Sequence, residues 1–118
     1  MAHTFRTHEE HVRYKEHNKL HPEEPCALCY NETITDFLLW RIHPANFPYD
    51  SIASVHHMLV PKRHVVESEL TPEEIQELFA IKQDGRLQEY DYLLEAVRKS
   101  RPTHFHLHLL VAKTTVST

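Results

Sequence analysis

Histidines alternate with apolar residues through His104-Phe105-His106-Leu107-His108-Leu109, and a period of two marks a strand with one polar and one apolar face. The predicted strand runs from His104 to Val111. Upstream, Thr33–Ile42 (TITDFLLWRI) is dense in β-branched and aromatic side chains and predicts a buried strand. A proline-marked turn over Asn46-Phe47-Pro48-Tyr49-Asp50 leads to a second strand at His56–Val60, closed by Pro61, and Tyr90–Val97 predicts a third before the histidine strand.

Two segments read as helices. His8–Leu20 is polar with sparse apolar positions (Val12, Tyr14, Leu20), a weakly amphipathic surface helix that Pro22 and Pro25 end. Thr71-Pro72-Glu73-Glu74 is a sharper start, with a hydroxyl N-cap, proline at the first helical position and glutamate three residues after the cap. Ile75, Leu78 and Phe79 give this helix one apolar face, and Asp84-Gly85 closes it with the chain's single glycine. Several strands with two helices predict an α+β fold, an antiparallel sheet with helices packed to one side.

Composition bounds the function. With 118 residues, 13 basic and 17 acidic side chains and a net charge of −4, the chain reads as one domain, residues 1–118, in which 1–25 form a helical extension to a core at 26–111. The mild acidity argues against gripping nucleic acid by charge, so no stable nucleic-acid partner is expected. No apolar run is long enough to span a bilayer, and the N-terminus has no apolar block of a secretory signal, so the expected location is the cytoplasm.

Two features carry chemistry: 12 histidines, and Cys26-Ala27-Leu28-Cys29. A lone C-x-x-C is a redox dithiol, half of a metal site, or a coincidence. The charged, proline-broken residues before it do not resemble the strand end of a redox motif, which favours a metal site lacking two further ligands. Same-face histidines about 7 Å apart on a strand line a groove rather than converge on one ion. That suits phosphate chemistry, with a central imidazole attacking phosphorus while its neighbours donate hydrogen bonds to the other oxygens. The plainer alternative is a half-buried strand whose polar face happens to carry histidines. The histidines at 3, 8, 11, 17 and 21 read as a solvated face of the N-terminal segment.

His104-Phe105-His106-Leu107-His108-Leu109-Leu110 resembles the signature of the histidine triad (HIT) superfamily of nucleotide hydrolases and transferases. His56-His57-Met58-Leu59-Val60-Pro61-Lys62-Arg63-His64 is similar to that family's preceding strand, and Cys26–Cys29 sits where its zinc-bearing members carry C-x-x-C. The resemblance implies a HIT-like sheet and an enzyme that cleaves at the α-phosphate of a nucleoside phosphoramidate or dinucleoside polyphosphate through a covalent nucleotidyl-histidine. It implies His106 as nucleophile with His108 and His56 on the same phosphate. Asn46, Ser100, Arg101 and His108 would be substrate-binding, with Phe37, Leu39 and Trp40 either walls of a base pocket or plain core. It further implies a structural zinc ion held by Cys26, Cys29, His64 and His104, and a possible homodimer. The pattern departs from the family at Val55, where a glycine is usual, and at Arg98–Thr103, which replaces a glycine- and asparagine-rich loop. Those departures keep a second expectation in view: a zinc-stabilised nucleotide-binding protein that turns over weakly or not at all.

Overall fold

The computed structural model describes residues 5–20, 26–98 and 102–113. The chain is α+β: a five-stranded antiparallel sheet with helix packed to one side. The helices are α1 (His8–Leu20), α2 (Ala27–Tyr30) and α3 (Pro72–Gln83), and the strands are β1 (Thr35–Asp36), β2 (Trp40–Pro44), β3 (Ala53–Pro61), β4 (Tyr92–Leu94) and β5 (Leu107–Ala112). Their order across the sheet is β1-β2-β3-β5-β4, which places β3 between the hairpin partner before it and the histidine strand far after it. Among the described residues no helix is long and apolar enough to cross a membrane.

Alternation sorts the side chains to the two faces. Trp40, Ile42, Leu59, Leu107 and Leu109 point one way and form the main core with Phe105 and Ile81 of α3. The Trp40 indole N–H donates to the Glu74 carbonyl at 2.8 Å, fixing α3 across this face. The opposite face carries Arg41, His43, His56, Met58 and His108, with Leu28 of α2 packed on Met58 and Val60. Phe37, Leu39 and Trp40 therefore belong to the α3 side. They are core residues, not walls of a pocket beside the histidines.

Three expected strands are shorter than the sequence suggests. Thr33–Ile42 is not one strand but two joined by a tight turn, closed by the Phe37 N–H on the Trp40 carbonyl at 2.9 Å. The cause is tertiary: the Glu77 carboxylate of α3 accepts from the N–H groups of Leu38 and Leu39, at 3.2 and 2.7 Å. Tyr90–Val97 contracts to Tyr92–Leu94, and β5 begins only at Leu107. Before it, the Phe105 N–H donates to the Val65 carbonyl at 2.7 Å instead of joining the ladder, so His104, at a bend, and His106 precede the strand.

The start of α3 is as expected. Thr71 Oγ1 accepts from the Glu74 N–H at 3.1 Å, and Glu74 Oε1 accepts from the Thr71 N–H at 2.8 Å. Gly85 adopts φ +72 after the C-cap, a conformation that side-chain-bearing residues rarely adopt. Glu74 is also 2% exposed and holds Arg63 through both carboxylate oxygens, at 2.7 and 3.0 Å. The cap thereby fastens the Lys62-Arg63-His64 segment to the helix.

Thr71→Ala should lower the unfolding free energy by about 1 kcal/mol. Urea titration reads this as a lower midpoint with an unchanged slope, and an unmoved midpoint would mean that the cap contributes nothing.

Candidate metal centre and histidine face

Cys26, Cys29, His64 and His104 offer ligand atoms that all lie within 4.8 Å of one another. The His104 Nδ1 is 3.5 Å from Cys26 Sγ and 3.4 Å from Cys29 Sγ, while the His64 Nδ1 is 3.2 Å from Cys29 Sγ. A tetrahedral ion with bonds of about 2.0–2.3 Å has ligand-to-ligand edges of about 3.5 Å. The cluster thus has the size and donor set of a four-coordinate metal centre. The His104 Nε2–H donates to the Pro61 carbonyl at 3.0 Å, which leaves Nδ1 as the ligand atom. Burial, first among several causes, holds His104 below the usual imidazole range. Burial and then the neighbouring Cys26 push the Cys29 thiol up, with the Arg41 charge pulling the other way. A dication bound between the thiols would favour the thiolate forms.

Arg41 supports this cluster from β2. Its guanidinium donates to the Leu28 carbonyl, to the Asn31 carbonyl at 2.7 Å and to Thr33 Oγ1 at 3.3 Å. These acceptors lie in and just after α2, so a residue only 7% exposed ties the cysteine-bearing segment to the sheet.

The second group is made of imidazoles whose tautomers follow from their partners. The Tyr49 backbone N–H donates to His56 Nδ1 at 3.0 Å. A neutral His56 must then carry its proton on Nε2, where it faces His108 Nδ1 at 2.9 Å. His108 in turn carries its proton on Nε2, 3.5 Å from the Tyr49 hydroxyl. His106 Nδ1 lies 2.9 Å from the His104 carbonyl and donates to it, so in the neutral ring the lone pair is on Nε2. The His106 and His108 ring centroids are 5.2 Å apart, and those of His56 and His108 5.1 Å. Tyr49 covers the pair, 4.3 Å from the His56 ring and 5.0 Å from that of His108.

The triad is therefore divided: His104 joins the sulfur cluster, while His106 and His108 stay with His56. His57 points to the opposite face, where its Nδ1 meets the Tyr90 hydroxyl at 2.6 Å. Asn46 pairs with Asn31 at 3.1 Å and lines a small cavity with His43, His56 and His108. Ser100 and Arg101 lie outside the described residues, as do His3 and His21. The N-terminal histidines are not uniformly solvated: His8 is exposed, but His11 is half-buried, and so is His17, 5.1 Å from the Phe47 ring.

His43 was not among the expected site residues. Fully buried on the histidine face, it has Nδ1 2.9 Å from the Pro44 carbonyl, and its Nε2 has no hydrogen-bond partner among the described residues. The alternation Trp40-Arg41-Ile42-His43 was the available signal, since it sets His43 on the same face as Arg41. Tyr49 was visible only as a turn residue.

Burial, above all other causes, drives His56 down to about 3 and His43 to about 4, against about 6.5 for an exposed imidazole. Between these values the unfolded chain binds more protons than the folded one. Stability should then be complete above about pH 6.5 and fall as the pH drops toward about 4 and below. Urea unfolding across that range should show the decline, and His56→Asn should make it shallower; a variant profile parallel to the original would remove His56 as a cause.

Cobalt(II) titration should reach one equivalent with the thiolate charge-transfer absorption of a tetrahedral site, and Cys29→Ala or His104→Ala should abolish that spectrum. Absorption unchanged in either variant would exclude the four-residue centre.

No protein-family model matches this chain, and neither a curated protein nor a solved structure is detectably similar to it.

Proposed function

We propose that the protein is a HIT-like nucleotide hydrolase or nucleotidyl transferase, acting at the α-phosphate of a nucleoside phosphoramidate or dinucleoside polyphosphate. The observation that carries this reading is the pairing of two tautomer-defined groups on one face. His106 is oriented through Nδ1 by the His104 carbonyl, and beside it stands the hydrogen-bonded His56–His108 pair. The motif resemblance and the α+β sheet support it.

In this reading His106 Nε2 attacks phosphorus, forming a P–N bond as the bond to the leaving group breaks. The leaving amine or phosphate departs with one proton taken up. Water then cleaves the P–N bond and returns that proton, so the cycle balances. His108 donates its Nε2–H to a non-bridging oxygen, and His56 holds His108 in the tautomer that can do so. A zinc ion at the Cys26, Cys29, His64 and His104 cluster would be structural, because four protein ligands leave no position for water or substrate. A homodimer remains part of the proposal on the family likeness alone.

A second reading, a nucleotide-binding protein with little turnover, draws on Val55 and on the Arg98–Thr103 stretch. One experiment separates the two. Incubation with adenylyl and guanylyl phosphoramidates and dinucleoside polyphosphates should release nucleoside monophosphate, and mass spectrometry of quenched protein should find one nucleotidyl group on His106. His106→Ala should lose at least about 1,000-fold in kcat while keeping nucleotide affinity within about threefold. Binding without product in the unaltered protein would establish the second reading.

A further inference from the structure

The imidazoles of His56 and His108 belong to a hydrogen-bonded chain that begins and ends at Tyr49. The Tyr49 backbone N–H donates to His56 Nδ1 at 3.0 Å, His56 Nε2 faces His108 Nδ1 at 2.9 Å, and His108 Nε2 lies 3.5 Å from the Tyr49 hydroxyl. Only one arrangement of protons fits neutral rings. The amide donor fixes the lone pair of His56 on Nδ1, so the shared proton comes from His56 Nε2 and His108 keeps its own on Nε2. Facing that N–H, the Tyr49 oxygen can only accept there, and its own proton has no acceptor among the described residues. Burial, ahead of the opposing Arg6 charge, pushes the phenol above its usual range and keeps that proton in place.

Tyr49 is held in this position from several sides. Its carbonyl accepts from the N–H groups of Ala53 at 3.0 Å and Ile52 at 3.2 Å, closing the turn into β3. Phe5 meets its ring edge-on, with centroids 5.5 Å apart. The ring covers the two imidazoles at interplanar angles of 29° to His108 and 33° to His56, and the hydroxyl comes to the Nε2 side of His108. A separation of 3.5 Å is long for a hydrogen bond between the two groups. It suits two donors that share an acceptor, because an oxygen about 2.8 Å from each completes the triangle.

We infer that the Tyr49 hydroxyl is a further donor of the histidine face, which with the His108 Nε2–H forms a two-donor seat for one non-bridging phosphoryl oxygen. This rests on the reading of that face as a phosphoryl site. Charge shifts onto those oxygens as His106 Nε2 bonds to phosphorus, and donors fixed in advance bind that charge more strongly than they bind the ground state. The proton stays on Tyr49 throughout, so the bonds that form and break at phosphorus are those of His106, the leaving group and water.

Tyr49→Phe removes the hydroxyl and keeps both the ring and the backbone N–H. With adenosine 5′-phosphoramidate as substrate, kcat should fall about 10- to 100-fold, the range for a lost hydrogen bond to a charged group, while KM moves by less than about threefold. Nitrogen NMR of the imidazoles should find His56 and His108 in unchanged tautomers, a readout that a disturbed pair would move. An unchanged kcat in Tyr49→Phe would overturn the assignment while leaving the hydrolase reading intact. A loss of kcat together with altered tautomers would overturn it too, reducing the hydroxyl to a support of the imidazole pair. If the unaltered protein turns nothing over, calorimetric titration with AMP, whose phosphate is a dianion, decides between the readings. Binding at least about fivefold weaker in Tyr49→Phe would keep the donor and remove the hydrolase. Equal affinity in both proteins would remove the donor, and no binding to the unaltered protein would sink both readings.

Discussion

The arrangement of the histidine face depends on how His104 is held. Its ring Nε2–H is fixed to the Pro61 carbonyl at the end of β3, its Nδ1 turns to the two cysteine sulfurs, and its own carbonyl accepts from His106 Nδ1. One residue therefore joins the metal-type cluster, the central strand and the candidate nucleophile. Displacing its ring would alter the direction of the carbonyl that sets the His106 tautomer, so the two sites share one residue of backbone. The segment that supplies His64 is braced separately, through Arg63 on the buried carboxylate of Glu74.

Much of this was legible where the determining interactions are local. The α3 start follows from Thr71, Pro72 and Glu74, which lie within one turn, and its end from Gly85. The face assignment of His56, His57 and His108 follows from strand alternation, and the structure places His57 on Tyr90 accordingly. The two-strand division of Thr33–Ile42 was not legible, because the turn is held by Glu77, 39 residues from Leu38. Periodicity reports which residues are apolar; it does not report a carboxylate arriving from a distant helix to satisfy two turn N–H groups.

The candidate site divides in the same way. The C-x-x-C is local, but its partners lie 35 and 78 residues off and came only from the family likeness. Tyr49 escaped because it covers the imidazoles only through the way its turn folds against the N-terminal segment, whose helix α1 is polar. That helix has almost no apolar stripe to announce where it packs; its contacts are cation–aromatic and ring–ring ones among Arg6, Tyr14, Phe47 and Tyr49.

The sheet order has a kinetic meaning. β3 pairs with β2 across a short loop, but its other neighbour, β5, lies about fifty residues on, with His56 and His108 separated by 52 positions. Closing so long a loop has an entropic cost that must be met before its contacts form. The four candidate ligands come from α2 and the residue before it, from just beyond β3 and from just before β5, so no contiguous stretch of chain can assemble them early. An ion at that cluster would act after strand closure, slowing unfolding more than it speeds folding. Its loss would then show first as a shorter lifetime of the native state.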